Sequence, residues 1–272
     1  EFSKAVTFYE EFYKEKPFAQ INYPRLITCY QELKSYQKAE KVIKERIEKY
    51  SQYQCYVDLG YNYQLQNNSA ETSKNYEKAI SLIKENQNYV YGIAREFENK
   101  VLVDYAIQAY ELAITENEHL NFDYQLSLLY GQKGDLEKMT QKLLDYANKN
   151  QNSVTLVQNM LARYMNEDAE ANFSNQLRKS LLSRVQNEQD IFWNHFLSWY
   201  FVQQQDYEKA FVQERAIFKR EGNNINKLIS LTQAAVAENK IEVATEMADF
   251  VLNNTIDVQT QIVIQTIKNK IT

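Results

Sequence analysis

The most constraining feature of this 272-residue chain is a pattern of small and bulky residues that recurs about every 34 residues. Between Tyr56 and Ala79, large residues fall three or four apart on both sides of a polar break at residues 66–69. This spacing predicts two short amphipathic helices joined by a tight turn, each with one apolar stripe. The small residue of the second helix returns in other units, at Ala5, Ala39, Thr72, Ala106, Ala210 and Ala244. The chain is therefore predicted to be a series of similar helical hairpins.

The composition agrees with an all-α fold. The chain holds only 5 Gly and 2 Pro, which leaves few turns of the kind that β-hairpins need. It is rich in Lys, Glu, Gln, Leu, Ile and Ala, which favour helix. Pro17 is predicted to end the first helix, since proline interrupts a helical pattern.

Residues 1–272 are predicted to form one array of about seven full units with a partial helix at each end. Residues 153–188 are expected to be an irregular unit, because the spacing is longer there and the small alanine is missing. The chain begins inside the pattern and without Met, so we expect a fragment of a longer protein. A cytoplasmic and a periplasmic location both stay open. The Lys, Asn, Ile and Tyr content favours a bacterial source.

These positions resemble the tetratricopeptide repeat. Leu59, Gly60, Tyr63, Tyr76 and Ala79 match its pattern of a Leu-Gly pair and an aromatic on helix A, followed by an aromatic and Ala on helix B. The resemblance covers nearly the whole chain. It implies a right-handed α-solenoid of helix-turn-helix repeats with a concave face. In such repeats small residues let helices A and B approach closely, and aromatic residues fill the gap between units.

The sequence offers no group of residues with the spacing of a catalytic site. His119 and His195 are far apart in the array, and no phosphate loop or metalloprotease motif occurs. Cys29 and Cys55 form neither a disulfide framework nor a metal knuckle, and are interpreted as small, partly buried side chains. We therefore expect no enzyme activity, no metal and no cofactor.

Charge and hydropathy limit the classes of partner that the chain is expected to bind. The net charge is −5 and no long basic run occurs, so nucleic acid is not expected as a partner. No apolar run reaches the length of a membrane span, so no membrane insertion is expected. The chain is predicted to be a non-catalytic scaffold that binds a protein or extended peptide on the concave face. The alternative is a regulatory or sensory module that captures a signal peptide and controls an attached effector domain.

The resemblance also implies which side chains face a partner. The concave face of such arrays is lined by helix A positions, which here are Val57, Tyr61, Tyr91, Arg95, Tyr124, Leu128, Phe192, His195, Trp199, Ile229 and Gln233. The Lys/Asn/Arg clamp by which some relatives hold a terminal carboxylate is absent from the matching positions.

The aromatic run at residues 192–201 has large side chains on more than one side of its predicted helix. Trp193, Leu197 and Tyr200 are assigned to the core. Trp199, with Phe192 and His195, is a candidate binding hot spot, because Trp and Tyr dominate such spots. The alternative is that packing against the irregular unit uses both sides of the helix.

Overall fold

The computed structural model describes residues 2–16, 22–222 and 224–271, and in these residues all regular secondary structure is helical. The prediction of an all-α chain is therefore confirmed. Pro17 lies outside the described residues. The chain divides into two compact units, residues 1–142 (unit 1) and 143–272 (unit 2), which are described separately.

Unit 1 begins with a single helix, and helix pairs follow it. Its helices are α1 Phe2–Glu15, α2 Tyr23–Glu32, α3 Tyr36–Tyr50, α4 Cys55–Gln64, α5 Ser69–Glu85, α6 Val90–Asn99, α7 Val103–Glu116, α8 Asp123–Gln132 and the first half of α9 Leu136–Lys149. Unit 2 contains the rest of α9 and α10 Val154–Asn166, α11 Asn172–Asn187, α12 Ile191–Gln203, α13 Tyr207–Glu221, α14 Ile225–Ala237, α15 Ile241–Asn254 and α16 Val258–Ile271. Within a pair, the even-numbered helix is helix A and the next one is helix B.

The turn between helix A and helix B recurs with nearly the same geometry. A residue in the left-handed region closes helix A at Lys34, Asn67, Val101 and Gly134 in unit 1 and at Ala171, Gln205 and Asn239 in unit 2. At all of these turns except Ala171, the next amide donates a hydrogen bond to the carbonyl five residues back, as Ser35 does to Tyr30 (2.7 Å). This is the bond of a Schellman cap, which satisfies a carbonyl at the end of a helix. Neighbouring regular turns lie 33 or 34 residues apart, so the turn repeats with the period of the hairpins.

The turn at Ala171 is built differently. It lies 37 residues after Gly134, and the Asp168 carboxylate accepts the amides of Asn172 (3.1 Å) and Ser174 (2.9 Å). A side chain therefore supplies the acceptor at the start of α11, in the manner of a helix N-cap.

Small residues of helix B lie fully buried in both units. Ala39 and Ala106 in unit 1, and Ala210 and Ala244 in unit 2, have no exposed surface. Burial of these alanines agrees with a close approach of helices A and B, because any larger side chain would hold the two helices apart.

A hydrogen bond between a tyrosine of helix A and a glutamate of the preceding helix B recurs in unit 1. The Tyr30 hydroxyl donates to Glu10 (2.7 Å), Tyr63 donates to Glu40 (2.8 Å), and Tyr130 donates to Glu111. Burial and the acceptor carboxylate raise the pKa of Tyr30 well above its ordinary value, so its hydroxyl stays a donor. Each of these three bonds joins a helix A to the helix B that precedes it.

The core of unit 2 contains the residues that the aromatic run predicted. Trp193, Leu197 and Tyr200 are all buried, and the Tyr200 hydroxyl donates to the Ser174 carbonyl (2.9 Å). The Trp193 indole donates to Glu188 (2.5 Å) and lies beneath the guanidinium of Arg184, 4.5 Å from its ring centroid. The assignment of these three residues to the core is confirmed.

Candidate peptide-binding surface

Tyr91 is the most exposed aromatic side chain among the predicted binding residues of unit 1. It lies in the first turn of α6 and is 56% exposed, while its ring and that of the buried Phe122 form an edge-to-face pair at a centroid distance of 5.4 Å. Arg95 follows one helical turn later and is exposed. Leu128, at the corresponding position of α8, is 41% exposed. Unit 1 thus presents an aromatic ring, a guanidinium and an aliphatic side chain on its A helices.

The other predicted residues of unit 1 are less accessible. Tyr61 is half-buried, and the Lys100 ammonium lies 5.1 Å from its ring centroid. Tyr124 is half-buried as well. Val57 has no exposed surface, so its assignment to the binding face is wrong. Its short branched side chain belongs to the core, whereas the tyrosine that occupies the same position one repeat later, Tyr91, extends to the surface.

A buried ionic cluster lies behind this face, and sequence reasoning missed it. Asp58 in α4 is 4% exposed, accepts the Tyr23 hydroxyl (2.9 Å), and pairs with Lys100 (3.0 Å). Lys100 also pairs with Glu96 in α6 (3.4 Å). One ammonium therefore joins carboxylates from two neighbouring A helices. A clue was available in Asp58, which stands between apolar residues 57 and 59 inside a helix.

The cluster contains more negative than positive charge, and this sets its protonation. Burial, together with the Asp58 carboxylate, raises the pKa of Glu96 to about 7, although Lys100 opposes the change. Burial alone would lower the pKa of Lys100, but Asp58 and Glu96 outweigh it and raise that pKa. Lys100 therefore stays charged, while Glu96 exchanges its proton near neutral pH.

In unit 2 the predicted residues of α12 separate into two places. Phe192 and His195 line a cavity of about 340 Å³ where α10 and α12 begin and α13 ends. Trp199 is half-buried and packs edge-on against Phe196 at a centroid distance of 5.3 Å. It does not belong to the lining of this cavity.

His195 is held by a second polar network. Its Nδ1 atom lies 3.1 Å from the ammonium of Lys227, which also pairs with the buried Glu214 (3.3 Å). Glu214 accepts the Ser198 hydroxyl (2.6 Å) and the Asn224 amide (2.8 Å) as well. Burial, followed by the Lys227 charge, lowers the pKa of His195, so its ring is neutral at pH 7.

The described residues include no group of three or more His, Cys, Asp and Glu side chains that could hold a metal ion. None of the helices in the described part of the chain combines the length and the apolar character of a membrane span. Cys29 and Cys55 are both free and are more fully buried than the sequence analysis expects.

Comparisons with known proteins give similarity to solved structures only. No protein-family model and no curated protein matches the chain. One similar structure is the APC/C hetero-tetramer Cut9–Hcn1, at 15% identity and a TM-score of 0.32, with 98% of this chain and 52% of that one covered. Another is yeast Tom70, at 15% identity and a TM-score of 0.33, with 99% of this chain and 59% of that one covered. A tetratricopeptide repeat protein from Parabacteroides merdae is similar as well, at 16% identity and a TM-score of 0.33, with 97% of this chain and 98% of that one covered.

The chain spans about half the length of the first of these proteins and three-fifths of the second. TM-scores this low carry no argument about function. What the chain itself shows is a helix-turn-helix unit that recurs about every 34 residues and closes with the same capped turn. Helix pairs with this period are those of the tetratricopeptide repeat. The chain is an all-α protein of helix-turn-helix repeats that resemble the tetratricopeptide repeat.

Proposed function

We propose that the chain is a non-catalytic scaffold that binds a protein or an extended peptide along the face formed by its A helices, the concave face of this repeat type. The observation that carries the proposal is the exposed ring of Tyr91. Exposed aromatic surface lowers the free energy of a complex when a partner covers it. Tyrosine is also enriched among the residues that dominate binding energy at interfaces.

The contact between Tyr91 and Phe122 strengthens this argument. Because the buried Phe122 supports the ring, Tyr91 has fewer orientations to lose when a partner binds. Arg95 adds a planar guanidinium that can donate paired hydrogen bonds to a carboxylate or to main-chain carbonyls. The surface therefore suits a peptide with apolar side chains and exposed acceptor groups.

Two of the buried carboxylates support a scaffold role. Asp58 is satisfied by Tyr23 and Lys100, and Glu214 is satisfied by Ser198, Asn224 and Lys227. Carboxylates that are buried and bonded in this way join helices and are not poised to react with a substrate. A regulatory module would use the same peptide-binding face, so the experiment below is the first test of either role.

The proposal is tested by selection from a displayed library of random peptides on the immobilised chain. The peptides that are enriched should bind the Tyr91→Ala variant about 30-fold more weakly, as the loss of a hot-spot aromatic predicts. Phe8→Ala is the matched control, because Phe8 is an aromatic residue that is 60% exposed on α1, a helix B. The proposal fails if no peptide is enriched, or if both variants weaken binding equally while circular dichroism shows that they are folded.

A further inference from the structure

The cavity of unit 2 takes the scaffold proposal one step further, to the chemistry of the bound peptide. We propose that this cavity, where α10 and α12 begin and α13 ends, holds a lysine or arginine side chain of the peptide. The inference rests on the proposed function. It concerns a different unit and different residues from the Tyr91 surface, so each can be tested without the other.

The size of the cavity suits one long side chain. Its volume of about 340 Å³ is at the lower end of the range for ligand sites, roughly 300–1,000 Å³. It is therefore too small for a helix or a folded domain. Val154, Ile191 and Phe192 provide its apolar wall. Such a wall matches the methylene stem of lysine or arginine, which packs on apolar surface while the charged end stays polar.

The charged side chains of the lining are both acidic. Asp190 and Glu221 contribute carboxylates, and none of the described residues that line the cavity is Lys or Arg. Asp190 uses one oxygen to cap α12, accepting the Phe192 amide (2.9 Å), and its second oxygen remains for a ligand. The neighbouring Arg220 donates to the Gln189 carbonyl (2.7 Å); it keeps its positive charge but lies outside the lining of this cavity. The end of α13 adds the partial negative charge of a helix C-terminus, whereas the starts of α10 and α12 add partial positive charge. The preference for a cation therefore rests on the two carboxylates.

Two rings complete the site. The face of Phe192 can attract a cation electrostatically. His195 accepts from Lys227 through Nδ1, because an ammonium has only hydrogens to donate, and its hydrogen therefore resides on Nε2. The charged groups that act on His195 are Lys227, Glu214 and Glu221. A neutral His195 does not repel a basic side chain, and its Nε2–H is left for an acceptor such as a peptide carbonyl.

The chain is well suited to a direct test, because it contains only two histidines. The probe is N-acetyl-arginine amide, and the neutral comparison is N-acetyl-citrulline amide, which has nearly the same shape. The proton NMR signal of the carbon between the two ring nitrogens is followed for each histidine, with His119→Gln used for assignment. The arginine probe should shift the His195 signal in a saturable way and leave the exposed His119 of unit 1 unchanged. Citrulline should bind about tenfold more weakly, since it lacks the charge for two partly exposed carboxylates.

Variants at the end of α13 and at the cap of α12 test whether the arginine probe binds in this cavity. Glu221→Gln and Asp190→Asn should each weaken arginine binding severalfold, and asparagine keeps the cap of α12. Glu208→Gln, on the opposite end of α13, should have no effect. The inference is overturned if citrulline binds as tightly as arginine, if the His195 signal does not move, or if Glu221→Gln and Glu208→Gln behave alike. Failure of the arginine probe at this cavity would remove this site and leave the Tyr91 surface of unit 1 intact, because that surface is tested with separate peptides and variants.

Discussion

Gly60 on α4 faces the ring of Tyr76 on α5 so closely that a methyl group on Gly60 would lie 2.4 Å from Cε1 of Tyr76. The ring has little freedom to move away. Tyr76 has no exposed surface, its hydroxyl donates to Gln64 (2.8 Å), and its ring contacts Phe97 edge-on at 5.5 Å. The hairpin of α4 and α5 therefore depends on the missing side chain at position 60.

Gly60→Ala should destabilise unit 1 even though alanine is the better helix former. The added methyl group overpacks a filled contact, which costs about 1–3 kcal/mol. The gain in helix propensity, about 1 kcal/mol, offsets only part of this cost. Urea denaturation followed by circular dichroism at 222 nm measures the difference, because both tryptophans lie in unit 2 and report on that unit.

Gly92→Ala is the matched control in the same unit. It lies in α6, and a methyl group there would meet Gln54 at 3.5 Å, an ordinary contact distance. Only the propensity gain remains, so this variant should be unchanged or more stable by up to about 1 kcal/mol. Equal behaviour of the two glycine variants would show that the contact between Gly60 and Tyr76 is not tight.

Ala106 provides an independent test of helix packing in the next repeat. It is fully buried in α7, so Ala106→Leu should overpack its surroundings and cost about 1–3 kcal/mol. Gln108→Leu, at an exposed position of the same helix, is the control for the change in residue type. Unchanged denaturation midpoints for Ala106→Leu would mean that this residue is not at a close contact.

Glu96 makes the stability of unit 1 depend on pH. Its pKa is raised from an ordinary value of 4.5 to about 7, so the folded chain holds this proton more tightly than the unfolded chain does. The stability that Glu96 contributes is therefore fully present below pH 4.5 and is lost as the pH rises to about 7. The loss in the free energy of unfolding is at most about 3 kcal/mol.

Glu96→Gln isolates this effect, because glutamine resembles the protonated acid and does not titrate. Between pH 4.5 and pH 7.5 the variant should gain stability relative to the original chain, as judged by paired urea denaturation curves. Glu98→Gln is the control on the same helix, where the glutamate is exposed. A constant difference between Glu96→Gln and the original chain across this range would contradict the raised pKa.

Truncation of Trp193 and truncation of Trp199, both on α12, should lower the stability of unit 2 by different amounts. Trp193 has no exposed surface, so Trp193→Ala should cost about 3–5 kcal/mol through lost burial and a cavity. Trp199 keeps part of its surface exposed, so Trp199→Ala should cost less than Trp193→Ala. Chemical denaturation of unit 2 compares the two. If Trp199→Ala is as destabilising as Trp193→Ala, then Trp199 belongs to the core and cannot be a binding hot spot.

The repeat and its helices could be predicted because each depends on local pattern. The spacing of small and bulky residues predicted the hairpins, and the buried alanines at 39, 106, 210 and 244 follow the same register. Trp193, Leu197 and Tyr200 were assigned correctly for the same reason.

The ionic clusters could not be predicted, because they depend on which helices become neighbours. Asp58 and Lys100 are 42 positions apart, and nothing in either helix alone shows that they meet. The repeat pattern also could not predict how exposed the side chains at equivalent positions of different repeats would be. Val57 is buried and Tyr91 is exposed, although both have the same place in their repeats. Side-chain length and the neighbouring helices decide such cases.

The central claim, that a peptide binds along the A helices, is tested most directly by photo-crosslinking. The photoreactive residue p-benzoylphenylalanine replaces Tyr91 on α6 in one variant and Phe8 on α1 in another, and each is irradiated with a peptide from the display selection. Both positions are well exposed, so the reagent is equally accessible. The account predicts a covalent adduct from position 91 and none from position 8. An adduct from position 8 alone, or equal adducts from both, would contradict it.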